Sequence, residues 1–444
     1  MSTFFVRDAA RMAVHTAIED ASSDIVALSR ALHDGAGPQG VALIAALFQA
    51  TGFAVDFDTD GIEGTIRAVY EQRDTKAERR GLRHAHVAYL ADLPDESTGW
   101  ANDGANLAIA ATITAAIGLA ASLKDKHEFG FVTFMAGPHN WKAMAAARGL
   151  VEPFDAALGV HTAAAGQGFA YTIDNTGDRL GSLAASVSFE GGAAALACEA
   201  LLPSVQELDT TLASPRVIRV VDTTPLSARF EILGRSRSEL IETAVELKDR
   251  ADSVAAEHDA TVDLDLGSAI DDMIVNRIII RRVKTYGDTY KLPMDPIVRT
   301  PPGPASDWGN VSYITPSADV AMRITDDPVT PGTSDFGMLT ASDEAHAQAI
   351  LLGECIAMTG IDVLRDSTYR AIADDQLVKA LAARGSSRAH RRWLGVNPVI
   401  REPKGNADKP RRGPTVSDFR VIDGTESSSP PAEDEDGEEP PGRA

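Results

Sequence analysis

The sequence predicts an α/β fold in which a larger domain, made of two chain segments, carries a smaller inserted domain. Strand-like and helix-like segments alternate over the first third of the chain, which favours a mostly parallel sheet. Residues 181–271 then follow the order β-α-β-β-α-β, which is that of a ferredoxin-like unit. The first pattern resumes at residue 272, so residues 1–180 and 272–398 are predicted to form one α/β domain around the insert.

The first segment is predicted to alternate between helices and strands. Apolar residues recur at helical spacing over Asp8–Leu32 and Gln39–Ala50. An alanine-rich helix ends near Ser122, and a short helix spans Trp141–Arg148. Alternating or continuous apolar runs predict the strands 53–58, 66–71, 86–93, 129–137 and 154–163.

The insert is predicted to contain two helices and four strands. The helix Ser236–His258 has the clearest pattern, and either Ser236 or Ser238 can cap it. The other helix, Ala193–Leu212, contains Pro203, which we expect to break or kink it. The strands are predicted at 183–192, 216–222, 226–233 and 260–266.

The second segment of the larger domain is predicted to be mainly helical. A helix is expected at 277–287, and a Gly/Pro-rich turn with a strand occupies 301–324. Two further helices are predicted at Ser342–Leu364 and Asp366–Ala383. These elements would complete the sheet begun by the first segment.

Composition excludes several classes of function. A net charge of -22 over 444 residues argues against binding to nucleic acid or to an anionic membrane surface. Cys198 and Cys355 are too few and too far apart in sequence for a disulfide framework or a cysteine-based zinc site. The N-terminal stretch lacks the features of a signal peptide, and no apolar run is long enough to span a membrane, so we expect a cytoplasmic protein.

The last part of the chain, residues 399–444, has a composition of its own. It is rich in proline, glycine and charge, and it ends in SSSPPAEDEDGEEPPGRA. Such a segment buries too little apolar surface to offset the entropy lost on ordering. We therefore predict a disordered acidic tail, whose simplest role is solubility.

The stretch GWANDGANLA, residues 99–108, resembles an active-site turn without reactive groups. It lies between a predicted strand and the alanine-rich helix, where α/β enzymes usually place their chemistry. It contains no His, Cys or Glu, and Asp103 fits a helix cap as well as a metal ligand. No GxSxG elbow, phosphate-binding loop or HExxH helix occurs elsewhere in the chain.

A family resemblance is carried by ASDWGNVSYITPS, residues 305–317, which resembles a STDMGNVS…P segment. That segment belongs to the zinc-dependent aminoacylase, carboxypeptidase and amidohydrolase family of metallopeptidases, peptidase family M20. IVALSRALH, FDAALGVH and the 225–264 region resemble other family segments in the same order. The resemblance covers roughly residues 15–385, and it implies a metallopeptidase-like domain with an inserted lid that often forms a homodimer.

The resemblance also implies a mechanism in active members. Two zinc or similar ions lie beneath the lid, held by five protein ligands. A glutamate acts as general base on a bridging water, and a lid residue helps to hold the oxyanion. Two cations lower the pKa of the bound water and neutralise charge in the tetrahedral intermediate.

Most reactive positions of the family are occupied here by residues without the required groups. Ala105 takes the place of a metal-binding His, Ala136 that of the general base, and Gly137 that of a ligand Glu. Thr333 replaces the last ligand His, and Ala195 replaces the lid His. Alanine and glycine side chains cannot coordinate a metal ion.

Five residues remain as candidates for the cleft. His161 occupies the position of the third ligand, and Asp103 stands where the family has a metal-binding Cys. His139 lies two residues beyond the lost Glu pair, and Asp307 and Asn310 belong to the Gly-rich turn. Each has an ordinary structural interpretation as well, as a cap, a turn residue or a hydrogen-bonded cleft residue.

These substitutions predict a degenerate, metal-free relative of the amidohydrolases and dipeptidases. It would bind a small peptide- or amide-like ligand, or a protein partner, in the former active-site cleft. The first alternative is an active enzyme that cleaves N-acyl amino acids or dipeptides. Its zinc or other divalent metal would be held by Asp103, His139 and His161 with Asp92 or Asp319. The second alternative is a scaffold subunit whose acidic tail recruits a basic partner.

Overall fold

The computed structural model describes most of the chain. The described residues are 8–35, 38–81, 83–93, 103–124, 128–163, 179–212, 216–292, 305–325, 329, 332–386, 398–399 and 420–421. Within them the chain forms a large mixed sheet, a smaller antiparallel sheet and the helices that cover both.

The large sheet is built from both segments of the chain, as predicted. Its strands are β1 (Ala54–Phe57), β2 (Ile66–Gln72), β3 (His86–Asp92), β4 (Gly130–Gly137), β5 (Ala156–Ala163) and β10 (Ser317–Arg323). They lie in the order β1-β2-β4-β3-β5-β10. The pairs β3/β4, β3/β5 and β5/β10 are parallel, whereas β1/β2 and β2/β4 are antiparallel, so the sheet is mixed with a parallel centre.

Helices cover the two faces of this sheet. They are α1 (Ala9–His33), α2 (Pro38–Ala50), α3 (Thr75–Glu78), α4 (Ala105–Lys124), α5 (Trp141–Ala147), α8 (Arg277–Tyr290), α9 (Trp308–Ser312), α10 (Ser334–Leu339), α11 (Asp343–Arg365) and α12 (Ser367–Ala383). Helices α1 and α11 pack against α4, while the short α5 and α9 pack together on the other face. Helices α3 and α10 were not predicted, and α9 forms where the sequence indicated a turn.

Helices α4 and α11 are apolar because they form the centre of the protein. Both are long and apolar enough to cross a membrane by length and composition. However, all of the apolar window of α4 and 78% of that of α11 are buried inside the fold. Gly353 of α11 allows this close packing, since a Cβ there would lie 2.6 Å from the Ala111 carbonyl oxygen of α4. The two are therefore core helices.

The insert has the predicted β-α-β-β-α-β order. Its elements are β6 (Gly181–Glu190), α6 (Ala194–Thr211), β7 (Val217–Thr223), β8 (Ser227–Gly234), α7 (Arg237–Glu257) and β9 (Thr261–Ile270). The antiparallel sheet has the order β7-β8-β6-β9, and α6 and α7 pack on it around a separate apolar core.

Two details of the insert refine the prediction. Of the two effects predicted for Pro203, a break does not occur, because α6 continues through it. Leu201 and Val205 on either side of the proline are buried in the apolar core of the insert, and this packing offsets the lost backbone hydrogen bond. Ser236, rather than Ser238, caps α7 by accepting from the backbone N–H of Glu239 at 3.2 Å.

Buried polar contacts join the insert to the larger domain. Arg237 donates to Asp271 from Nε and Nη2 at 2.5 and 2.6 Å, and both side chains are buried. The Arg237 guanidinium also lies over the Tyr313 ring, 4.5 Å from its centroid. Asn310 donates to the same Asp271 carboxylate at 3.2 Å. Gly309 passes so close that an added Cβ would overlap the Asp271 carbonyl oxygen.

Most of the predicted tail, residues 399–444, lies outside the described residues. Within it, β12 (Arg420–Val421) pairs in antiparallel fashion with β11 (Pro398–Val399). The prediction of a disordered tail stays a prediction.

Candidate functional site

The candidate site lies at the carboxyl edge of the parallel strands. Asp92 at the end of β3 is in register with Gly137 at the end of β4, and His161 lies near the end of β5. Because the carboxyl ends of neighbouring parallel strands meet at one edge, their last side chains come close together. The first turns of α4 and α5 follow β3 and β4, so the residues that begin these helices lie at the same edge.

A buried lysine is the main feature of this edge. Lys142, in the first turn of α5, has a fully buried side chain whose ammonium contacts Asp92 and lies 3.0 Å from Asp307 Oδ1. Its backbone N–H also donates to Asp307 Oδ2 at 2.9 Å. Burial opposes the charge, but the two carboxylates outweigh burial and raise the pKa of Lys142. The two carboxylates therefore favour the charged form of this side chain.

Aromatic rings enclose this cation. The Lys142 ammonium lies 5.4 Å from the centroid of the Trp141 ring and 5.7 Å from that of Trp308. Trp141 is held in place because its indole N–H donates to the Ala91 carbonyl at 3.0 Å. These rings exclude water from the ammonium on the sides that the carboxylates leave open.

The same Trp141 occupies the space beside Gly137. A Cβ at Gly137 would lie 2.6 Å from Trp141 Cγ and 2.7 Å from Thr65 Cγ2. The neighbouring Ala136 is fully buried. These are the two positions to which the resemblance assigns the glutamate pair, and the packing leaves no room for a larger side chain at Gly137 without rearrangement.

A second cluster of charged side chains includes His161. Its Nδ1 lies 3.0 Å from Asp319 Oδ1, and Arg179 Nη2 lies 3.0 Å from Asp319 Oδ2. Burial of Asp319 opposes its ionisation, but the His161 and Arg179 charges outweigh burial and hold the pKa of Asp319 well below its usual range. The side chains of His161 and Arg179 are 40% and 23% exposed, so both can reach a ligand.

Asp103 forms the turn that begins α4. Its Oδ1 accepts from the backbone N–H of Ala105 at 3.0 Å, and its carbonyl accepts from the Thr162 hydroxyl. Gly104 has a φ of +74°, and a Cβ there would lie 2.6 Å from Thr162 Cγ2, so only glycine suits this position. Loss of hydration, with a smaller contribution from the Asp92 charge, raises the pKa of Asp103. Its observed role is structural.

The remaining candidates lie apart from His161. His139 is on an exposed turn between β4 and α5, with no hydrogen bond or ion pair to the cluster among the described contacts. Asn310 serves the domain junction rather than the cleft. Thr333 caps α10 by accepting from the Phe336 N–H at 3.3 Å, and Ala195 is exposed on α6. Across the described ranges, no group of three or more His, Cys, Asp or Glu side chains is arranged to hold a metal ion.

Sequence reasoning missed Lys142 and Arg179. The signal for Lys142 is its place in PHNWK, directly after a buried strand that ends at the carboxyl edge. A lysine in the first turn of a helix is unfavourable with the helix dipole, so its presence there indicates nearby carboxylates. Arg179 gave no comparable signal, because its partner Asp319 lies in a distant strand.

Comparisons with known proteins support the fold. No family model and no curated protein matches the sequence. Among solved structures, a protein described as an aminohydrolase from methicillin-resistant Staphylococcus aureus superposes with a TM-score of 0.62 and 13% identity, covering 80% of this chain and 100% of that one. The YxeP protein of Bacillus subtilis, described as a dinuclear metal-binding peptidase, superposes with a TM-score of 0.55 and 14% identity, covering 77% and 98%.

At identities this low, the superpositions establish the fold alone. The chemistry has to be inferred from the residues of this chain. Both superpositions cover nearly the whole length of the known structures. The chain therefore has the fold of the M20 peptidase and amidohydrolase family, as the sequence resemblance implied.

Proposed function

We propose that this chain is a metal-independent relative of the M20 amidohydrolases that binds a small peptide- or amide-like ligand without hydrolysing it. The ligand would lie in the cleft at the carboxyl edge of the large sheet. The buried Lys142 ammonium between Asp92 and Asp307 is the observation that supports this most directly.

A fixed ammonium and a divalent cation compete for the same oxygen atoms. The Lys142 ammonium already contacts the Asp92 and Asp307 carboxylates, and its positive charge would repel a divalent ion bound at the same oxygen atoms. Ala105 and Gly137 offer no ligand atoms, and Thr333 is used as a helix cap. The residues present therefore do not fit a two-metal site, and we derive no hydrolytic step through one.

The exposed part of the site favours a ligand with a carboxylate or a polarised carbonyl. Arg179 and His161 are both partly exposed, and both lie beside the buried carboxylate of Asp319. A guanidinium binds a carboxylate through two parallel hydrogen bonds, and an imidazole N–H can donate to a carbonyl oxygen. The terminal carboxylate and the amide of an N-acyl amino acid or dipeptide supply both acceptors.

Metal analysis with a hydrolysis assay tests the proposal. Protein purified without chelators should contain well below one equivalent of zinc, manganese or cobalt. It should also release no amino acid from N-acyl amino acids or dipeptides in the presence of those ions. The same ligands should bind in calorimetry, and His161→Ala should weaken them about tenfold, as expected for one lost charge-assisted hydrogen bond.

The competing functions give different results in the same experiments. Two metal equivalents per chain, with hydrolysis abolished by His161→Ala, would establish the active amidohydrolase instead. If the cleft binds none of these ligands and deletion of residues 400–444 removes a co-purifying basic protein, the scaffold function would replace our proposal.

We also propose that the chain forms a homodimer through the insert. Strand β7 lies at the edge of the smaller sheet, and Val220 and Val221 on it are 51% and 61% exposed. An apolar edge strand favours pairing with another chain. In light scattering, Val221→Asp should convert a dimer to a monomer, whereas Ile372→Asp, at an exposed position of α12, should not change the mass. A monomeric wild type would contradict this prediction.

A further inference from the structure

A cavity of about 510 Å³ opens where the insert meets the larger domain. Its walls come from three distant parts of the chain: the residues before β6, the start of α7 and the end of α12. Each part contributes one arginine, namely Arg179, Arg235 and Arg384. Convergence of three arginines on one cavity is electrostatically unfavourable unless acidic groups or a bound anion balance them.

The acidic side chains of the cavity are already engaged. Asp272 accepts from Arg384 Nε at 2.7 Å and from the Tyr313 hydroxyl. Glu239, in the first turn of α7, accepts from the backbone N–H of Arg235 at 2.6 Å. With Asp319, which pairs with Arg179, three carboxylates match the three guanidinium groups in number, so the cavity as a whole has no net charge.

The guanidinium of Arg235 differs from the other two. Arg179 pairs with Asp319 and Arg384 pairs with Asp272, whereas Arg235 has no ion-pair partner in the described part of the chain, because Glu239 accepts from its backbone N–H. Arg235 is exposed, so its guanidinium is available to a ligand from solvent. The start of α7 is capped by Ser236, so the arginines rather than the helix end create the site.

We propose that this cavity binds a small ligand through an oxyanion, either a phosphate or a carboxylate group. Planar guanidinium groups bind both anions through paired N–H donors. The bound anion would contact Arg235 on the insert and Arg384 on the larger domain at the same time. This site shares Arg179 with the proposed cleft, but it also uses Arg235 and Arg384, which the cleft function does not involve.

Calorimetric titration of the full chain tests the proposal, with inorganic phosphate and succinate as separate probes at low ionic strength. At least one probe should bind saturably with one site per chain, and the probe that does so identifies the preferred anion. Arg235→Gln should weaken that binding about tenfold, since it removes one charge-assisted contact. Arg219→Gln, at an exposed position of β7 away from the cavity, should leave it unchanged.

Two results would overturn the proposal. The first is that neither probe binds saturably. The second is that Arg235→Gln and Arg219→Gln weaken binding equally, which would indicate only a general effect of net charge. Binding that His161→Ala weakens and Arg235→Gln does not would belong instead to the proposed cleft, which shares Arg179 with this cavity. The outcome is therefore distinguishable from failure of the proposed cleft function.

Discussion

Replacement of Lys142 by methionine should lower the free energy of unfolding at neutral pH by about 3–5 kcal/mol, the usual effect of removing one partner of a buried ion pair. Methionine fills a similar volume, so the loss reflects the charge that remains on the buried Asp307. Chemical denaturation of both proteins at pH 7 measures the difference.

The pH dependence of that loss identifies its cause. Burial raises the folded-state pKa of Asp307 even beside Lys142, and loss of the ammonium, whose charge opposes this effect, would raise it further. The carboxyl is then protonated in the folded variant at low pH, and stability is lost as the pH rises through the raised pKa. The variant should therefore be closest to the wild type near pH 4.

Lys124→Met, at the exposed end of α4, should change stability little at any pH. A Lys142→Met protein as stable as the wild type at pH 7 would contradict the buried ion pair.

Substitution of Gly309 by alanine should lower the free energy of unfolding by about 3 kcal/mol or more. The added Cβ would overlap the carbonyl oxygen of Asp271, which is backbone and cannot rotate away. Relief of the overlap would displace Asp271 from Arg237, so the variant should also weaken the junction between the domains. Gly192→Ala, where no atom lies within 4 Å of the added Cβ, should have little effect on thermal unfolding.

The fold could be predicted largely from sequence because its signals are local. Helix α1 and the strands β2 to β5 begin and end within a few residues of the predicted limits, since their apolar periodicity and their glycine and proline boundaries lie within the segments themselves. The predicted break at Pro203 does not occur because the signal there is not local. Helix α6 is stabilised by packing against the sheet of the insert, and a local rule for proline does not include that contribution.

The candidate site was less predictable because it depends on pairs distant in sequence. Asp103 and His161 could be named from their segments alone. The pairing of Lys142 with Asp307 joins residues far apart in sequence, and that of His161 with Asp319 requires the parallel register of β5 with β10. Trp141 fills the space that a side chain at position 137 would need, and this depends on three-dimensional packing that a sequence pattern does not show.

The buried contacts between the domains have a consequence for the kinetics of ligand binding. Arg237 holds Asp271 through two hydrogen bonds and stacks on Tyr313, while Gly309 leaves no space for sliding at the same point. Lids that close over a substrate require a soft hinge, because closure redistributes backbone torsions over a few residues. These contacts favour a stiff junction, so for the ligand binding that we propose we expect association to require little reorganisation. Differences in affinity between ligands should then arise mainly from their dissociation rates.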